Sequence, residues 1–423
     1  MRRLLDTLLP PRLGPGFRWL VGSSWVSNLG DGVAMAAGPL VLASLTEDAR
    51  LVALGATVQW VPPLAFGLLA GAVSDRLDRR RIVLVGNLLR VLVLLVLSLA
   101  MLTGRVSIGV VLLALLLLGT SEVFVDNASS TLLPMLVGKD DLLVGNARLQ
   151  AGHVTLNNLV GPPLGAALFT LGTAVPFASQ ALLVGLAVVL VGRLQLPPHR
   201  REAHGRGRLH HDIAEGFRFA MHHGAVRTLV ATIFIFNLAF GAAWSVLVLY
   251  ATRRLGLGEV GFGLVTTVEA AGGLVGILAY GRLTRAVSLT TIMRAGLLVE
   301  TLTHLGLALT RSPWVAMPIF FVFGAHAFVW GTTSQTIRQR VVPTVLQGRV
   351  NSVNVVGVFG GLVVGSVVGG ALAERWGVTA PFWYAFAGSA VFVVLIWRQL
   401  RHLSAGETPV PEAVDPGDGP QEP

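Results

Sequence analysis

Residues 71–102 read GAVSDRLDRRRIVLVGNLLRVLVLLVLSLAML. Arginines at positions 76, 79, 80 and 81 crowd its beginning, and from Ile82 to Leu102 the one charge is Arg90. An apolar run of that length, wound into a helix, is long enough to cross the hydrocarbon of a bilayer. A basic cluster at its start is the mark of a cytoplasmic helix end.

The same pattern recurs along the chain. Apolar segments lie at about 17–45, 51–74, 82–102, 107–131, 147–170 and 174–195, and again at about 226–251, 260–281, 288–310, 314–338, 350–374 and 379–400. The 423 residues are 53% hydrophobic and only 13% charged. A soluble chain carries about twice that charged fraction. The spacing predicts an all-α membrane protein of twelve transmembrane helices. The net charge of +10 does not point to nucleic acid, because the basic residues sit in short clusters between apolar runs. With both termini placed in the cytoplasm, 25 of the 32 basic residues fall on the cytoplasmic side. Arg50, Arg105, Arg253, Arg254, Arg311 and Arg375 fall on the other. That asymmetry predicts a multi-pass protein of the inner (plasma) membrane with both ends inside.

The basic N-terminus reads as a lead-in to the first span, not a cleaved signal. The sequence has no cysteine, which excludes disulfides and thiolate chemistry. It has no Gly-x-x-x-x-Gly-Lys-Ser/Thr loop, so ATP hydrolysis by this chain is excluded. No catalytic constellation is visible, and an enzyme is not expected. The His pairs at 210–211 and 222–223 could bind a metal, but adjacent residues on a helix do not face one site, which argues against it. No metal and no cofactor is expected, the proton serving as coupling ion.

The two sets of spans repeat. Gly119 matches Gly324, and Leu133-Pro134 echoes Val342-Pro343. Gly161, Gly165 and Leu168 match Gly365, Gly369 and Leu372. Pro176-Phe177 matches Pro381-Phe382, and Arg90 matches Arg294. The offset stays near 204–209. With an even number of spans per half the repeat is parallel, giving two related bundles with a binding site between them. The expected organisation is a six-helix bundle at 1–195, a linker at 196–225, a second bundle at 226–400 and a disordered tail at 401–423. Leu209, Ile213, Phe217, Ala220 and Met221 fall at helical spacing within the linker, predicting an amphipathic interfacial helix.

The loop Gly71-Ala72-Val73-Ser74-Asp75-Arg76-Leu77-Asp78-Arg79-Arg80-Arg81 resembles the signature loop of the major facilitator superfamily, with Asp78 where the pattern has Gly. The resemblance covers about residues 15–400 and implies two parallel six-helix pseudo-repeats that rock about a central site. It implies a gating role for Gly71, Asp75, Arg76, Arg79 and Arg80, latching the cytoplasmic ends of spans 2 and 11. Asn157-Asn158-Leu159-Val160-Gly161-Pro162-Pro163-Leu164-Gly165-Ala166 resembles the Gly-Pro-x-x-Gly-Gly element of exporters, chiefly proton antiporters, with Ala166 replacing the last Gly. Gly161, Pro162 and Gly165 then form a kinked, closely packed span. Looser likenesses at 27–31, 122–126 and 212–219 place the chain nearest the branch of siderophore exporters and actinobacterial multidrug pumps.

Ionisable groups at membrane depth are costly and usually functional. Asp31, Glu122, Asp126, Glu269 and Glu300 are the candidates for proton coupling. The resemblance pairs Asp126 with Arg76, while Glu300 and His304 form an i,i+4 pair. His153 and His326 read as hydrogen-bonded packing residues. Trp25, Asn28, Asn157, Asn237, Phe240, Trp244 and Trp330 are the candidates for the substrate cavity. Together these readings predict a monomeric secondary transporter exporting small amphipathic molecules by proton antiport. The alternatives are a dedicated exporter of one endogenous metabolite, such as a siderophore or antibiotic, and a non-transporting membrane sensor or lipid-handling protein.

Overall fold

The computed structural model describes residues 10–196, 209–397 and 399. The expected tail at 401–423 and the linker residues 197–208 lie outside them. Among the described residues the chain is helical with no strand. The first half contains α1 (Gly14–Leu45), α2 (Ala49–Arg76), α3 (Arg79–Leu102), α4 (Ile108–Ser130), a divided α5 (Leu142–Gly152, His153–Val160, Gly161–Thr170) and α6 (Val175–Gly192). A linker helix, Leu209–His222, precedes the second half. That half contains α7 (Gly224–Trp244), α8 (Glu259–Ala286), α9 (Leu289–Leu309), α10 (Pro313–Val341), α11 (Gln347–Trp376) and α12 (Ala380–Ile396). Ten of these helices are long and apolar enough to cross a membrane. The other two are α5, interrupted in its middle, and α12, apolar but shorter.

The exposed faces show what solvent this fold expects. On α3, Leu88, Leu92, Leu95, Leu99 and Leu102 face outward at helical spacing, while Asn87, Arg90, Leu94, Leu97 and Met101 are buried. Lipid tails are as apolar as leucine, so burial of leucine brings little gain and helices associate through close contact of small residues. Gly32 of α1 and Gly161 of α5 meet backbone to backbone, and a Cβ on Gly165 would strike the carbonyl of Val33. The second half repeats the device, with Gly365 and Gly369 of α11 against Leu238 and Ala242 of α7.

The span expected at 147–170 starts earlier, at Leu142, and changes pitch. Residues His153–Val160 are π-helical, with Gly161 N–H bonded to the Leu156 carbonyl. Pro162 and Pro163 have no N–H to give, and a π-turn is one way a helix absorbs such an interruption. Pro163 cannot return a hydrogen bond to the Leu159 carbonyl, and Thr267 Oγ1 of α8 donates to it instead at 3.0 Å. The span expected at 226–251 also divides, ending at Trp244 and resuming as Leu247–Leu249 and a π-turn at Tyr250–Arg254.

Hydrogen bonds between the halves gather toward the end that carries the α1–α2 turn. Thr57 and Ser366 hydroxyls meet at 2.6 Å, Ala49 N–H donates to Glu374 Oε2 at 2.8 Å, and Arg253 reaches the Glu47 carbonyl. Glu374 thereby sets a negative charge on the N-terminus of α2, the favourable end of the helix dipole. The Gly71–Arg81 loop lies at the other end of α2. Its expected departure at Asp78 is resolved simply. Asp78 caps α3 by accepting from Arg81 N–H at 3.1 Å, with φ −63°, so no glycine is needed.

Two outcomes follow from this packing. Gly165→Val should destabilise the protein by about 1–3 kcal/mol through overpacking, read as a lower melting temperature in detergent; an unchanged melting temperature contradicts the α1–α5 contact. At the α1–α2 turn, the hydrogen bond from the Arg50 side chain holds the Asp48 carboxyl below its usual range. A lowered folded pKa stabilises the turn above the unfolded value, and that contribution is lost as pH falls through the folded value. Amide exchange at residues 46–52 should therefore quicken at acid pH in excess of the intrinsic rate, and Asp48→Asn should remove the dependence.

Candidate transport cavity and its buried charges

Between the halves lies a cavity of about 490 Å³. Met35, Gln59, Trp60 and Asn158 line it from the first half, and Phe240, Trp244, Thr266 and Glu269 from the second. Beside it, within the first half, is a chamber of about 320 Å³ containing Asp31, Arg90, Glu122, Asp126 and Gln180. Met35, Gln59 and Trp60 border both spaces.

The chamber is organised by Arg90. Its side chain is 2% exposed and forms an ion pair with Asp31 Oδ1, itself 16% exposed. Arg90 Nη1 also donates to Asn87 Oδ1 at 3.1 Å, and Gln180 Nε2 donates to Asp31 Oδ1 at 3.1 Å. Ser27 Oγ donates to Asp31 Oδ2 at 3.4 Å. Glu122 and Asp126, one turn apart on α4, line the same chamber. Three carboxylates thus line one chamber with one guanidinium, which pairs with Asp31. Leaving any of these charges unpaired in a poorly solvated bundle is expensive.

The second half answers with aromatic rings. Trp244 stacks on Phe240 with centroids 4.5 Å apart and tilts against Phe323 at 4.6 Å. Its indole Nε1 donates to Glu269 Oε2 at 3.3 Å. The cavity wall is therefore largely apolar with one fixed carboxylate, the composition that suits a lipophilic guest.

The sequence-derived candidates divide by location. Phe240, Trp244 and Glu269 line the central cavity, and Asp31, Glu122 and Asp126 the adjoining chamber. Trp25 does not reach either space, because it packs on Gly152 and donates to the Arg148 carbonyl at 3.0 Å. Asn28 meets His153 at 3.0 Å and also donates to the Ser24 carbonyl. Asn157 is buried where α5 crosses Gly32 of α1. Asn237 Nδ2 turns back to the Ile233 carbonyl at 2.7 Å. Trp330 packs on Gly296 inside the second half. Glu300 does not bond to His304 one turn along; its partner is His326 Nε2 of α10 at 3.4 Å.

The loop side chains are also placed differently from the latch that the resemblance implies. Arg76 is exposed, no hydrogen bond or ion pair joins it to Asp126, and Asp126 faces the Arg90 chamber. Arg79 contacts the Met135 sulfur at 3.5 Å, and Arg80 caps the end of α6 through the carbonyls of Val191 and Gly192. Gly71 has open space beside it. The Asp75 side chain lies outside the described set. Gly161, Pro162 and Gly165 sit where α5 meets α1 and α8, and the Pro162 carbonyl lies under Gly263.

Gln59, Trp60 and Asn158 are cavity residues that sequence reasoning missed. Their one signal was polarity or bulk beside the double prolines at 62–63 and 162–163. Arg90 was visible as a lone charge, but its partner lies 59 residues away in sequence, beyond any local pattern.

Comparison with known proteins agrees with this architecture. The profile of a family described as transmembrane secretion effector matches residues 7–415. The multidrug efflux pump Tap of Mycolicibacterium fortuitum is 30% identical over 383 residues, covering 84% of this chain and 88% of that protein. The enterobactin exporter EntS of Escherichia coli O1:K1 / APEC is 25% identical over 357 residues, covering 80% of each chain. Among solved structures, the nucleoside transporter NupG superposes with TM-score 0.73 at 14% identity, covering 92% of this chain and 99% of that one. A bacterial homologue of the iron transporter ferroportin, in an inward-facing state, superposes with TM-score 0.74 at 17% identity, covering 91% and 98%. With two helical bundles enclosing a cavity, and a family match across nearly its whole length, this chain belongs to the transmembrane secretion effector family of major facilitator transporters.

Proposed function

We propose that the chain exports small amphipathic molecules across the plasma membrane by proton antiport. The observation that carries this reading is the Asp31–Arg90 ion pair, set with Glu122 and Asp126 in a chamber that shares walls with the aromatic cavity. The efflux direction is supported by the relatives, a multidrug efflux pump and an enterobactin exporter.

The mechanism rests on exchange of charge partners. A proton arriving on Asp31 dissolves its ion pair with Arg90. The guanidinium then turns to Glu122 or Asp126, which face the same space. Breaking a buried pair is worth about 3–5 kcal/mol. Inverting a two-state equilibrium from 1:99 to 99:1 takes about 5.5 kcal/mol, so one proton supplies much of the bias between two states of the transporter. In this cycle the hydrogen bonds Thr57–Ser366 and Ala49–Glu374 hold the periplasmic end closed in one state, and the Gly71–Arg81 loop closes the cytoplasmic end in the other. A guest enters beside Trp60, Phe240 and Trp244 from the cytoplasmic side. Its aromatic or aliphatic body meets the rings, and a polar or cationic group meets Glu269.

Proteoliposomes loaded with a dye such as ethidium test the coupling. An imposed pH gradient should drive transport in the parent, and Asp31→Asn should abolish the gradient dependence, cutting driven flux about tenfold or more, while dye binding persists. Equal flux with the gradient collapsed overturns antiport. A parallel screen over dyes, tetracyclines, macrolides and siderophores separates a broad exporter from one dedicated to a single metabolite. Orientation has its own test, made clean by the lack of cysteine. With a membrane-impermeant maleimide on intact cells, Arg105→Cys should label and Arg206→Cys should label only after lysis. The reverse pattern overturns the assignment of sides.

A further inference from the structure

A second group of ionisable side chains lies apart from the Arg90 chamber, sealed inside the second half. Glu300 and His304 stand one turn apart on α9, both buried, with His304 at 0% exposure. His326 of α10 binds Glu300 at 3.4 Å. Gly296 of α9 leaves the space that the His326 and Trp330 rings occupy, for a Cβ there would press on both. Neither ring nitrogen of His304 has a hydrogen-bond partner among the described residues. Every neutral imidazole carries one donor and one acceptor, and burying both unmet is costly. A purely structural role would be served better by an apolar ring at position 304.

Trp244 separates this group from the cavity. The rings of Trp244 and His304 meet edge to face, 5.9 Å apart at 86°. The indole N–H of the same residue holds Glu269. The other charged groups near the cluster are few. Arg294 of α9 stacks on Trp397 at 5.4 Å. Helix α12 offers one ionisable side chain, Tyr384, which lines a groove facing outward. Tyr250, following α7, donates its hydroxyl to the Leu307 carbonyl at 2.6 Å. On α7 the one charge is Arg227, near its start, and on α10 Arg338 and Arg340 lie near its end.

We infer that Glu300, His326 and His304 form a second proton-binding site, isolated from the substrate cavity by Trp244. It takes one proton from water, shared between Glu300 Oε2 and His326 Nε2 or passed to the unpaired imidazole of His304. No other bond forms or breaks. A positive charge on His304 interacts with the indole quadrupole, so the ring that orients Glu269 registers protonation of the sealed site. The two halves then carry separate proton sites, an ionic one beside the cavity and an imidazole–carboxylate one behind its wall.

Tryptophan emission of the purified full-length protein tests this without substrate. A protonated imidazole beside an indole quenches it, and subtraction of Trp244→Phe isolates the Trp244 signal. Between pH 5 and pH 9 that signal should show one reversible transition. It should persist in Glu269→Gln and Asp31→Asn, and be lost in His304→Phe and displaced in Glu300→Gln. Where Glu300→Gln is not monodisperse, His326→Gln takes its place with the same expected displacement. Absence of the transition in the parent overturns the proposal. So does a transition removed by Glu269→Gln and untouched by the substitutions at 300, 304 and 326, which assigns the signal to the cavity carboxylate. Neither result bears on whether the chain performs antiport, which the liposome flux decides.

Discussion

A guanidinium held at membrane depth must be answered by the protein, and the Arg90–Asp31 ion pair is that answer. Its consequences spread through the first half. Asp31 places α1 against α3, Gln180 brings α6 to the same carboxylate, and α4 supplies Glu122 and Asp126 around the open side. Four helices are thus registered by one charge. Surrounding leucines give little help, since in lipid they are equally at ease facing outward.

The backbone provides the second constraint. In α5 the double proline removes two N–H donors, and the helix absorbs the loss through a π-turn and a bond from Thr267. A carbonyl that would have been satisfied inside its own helix now reaches across to α8. The packing glycines of α5 sit on α1 at the same place. One short motif therefore sets both the interior of the first half and its contact with the second.

The halves share a frame and differ in chemistry. Gly119 and Gly324 occupy matching positions, one against α2 and the other against α8, and Phe177 and Phe382 are both buried behind a helix-starting proline. Arg90 finds an acid, whereas its counterpart Arg294 lies over Trp397. The first half gathers its charges in the chamber beside the central space, and the second presents Phe240 and Trp244 to that space with one carboxylate. Such a division keeps the charged chamber and the aromatic wall side by side, each with its own acids.

The apolar runs, their basic flanks and the near-constant offset between halves determined the class of fold by themselves. Hydrophobic length and charge asymmetry act locally along a chain, and no partner is needed to read them. The loop at 71–81 and the Pro-Gly element at 161–165 named the family for the same reason. Partnership was decided only in three dimensions. Glu300 and His304 shared a helix face, but His326 of the neighbouring helix holds the carboxylate. Asp126 looks toward Arg90 rather than Arg76, and Trp25 turned inward while Trp60, more than two turns before the marked loop on the same helix, came to the cavity. Rotation of each helix about its axis is set by contacts with its neighbours, and a run apolar on every side carries no record of it.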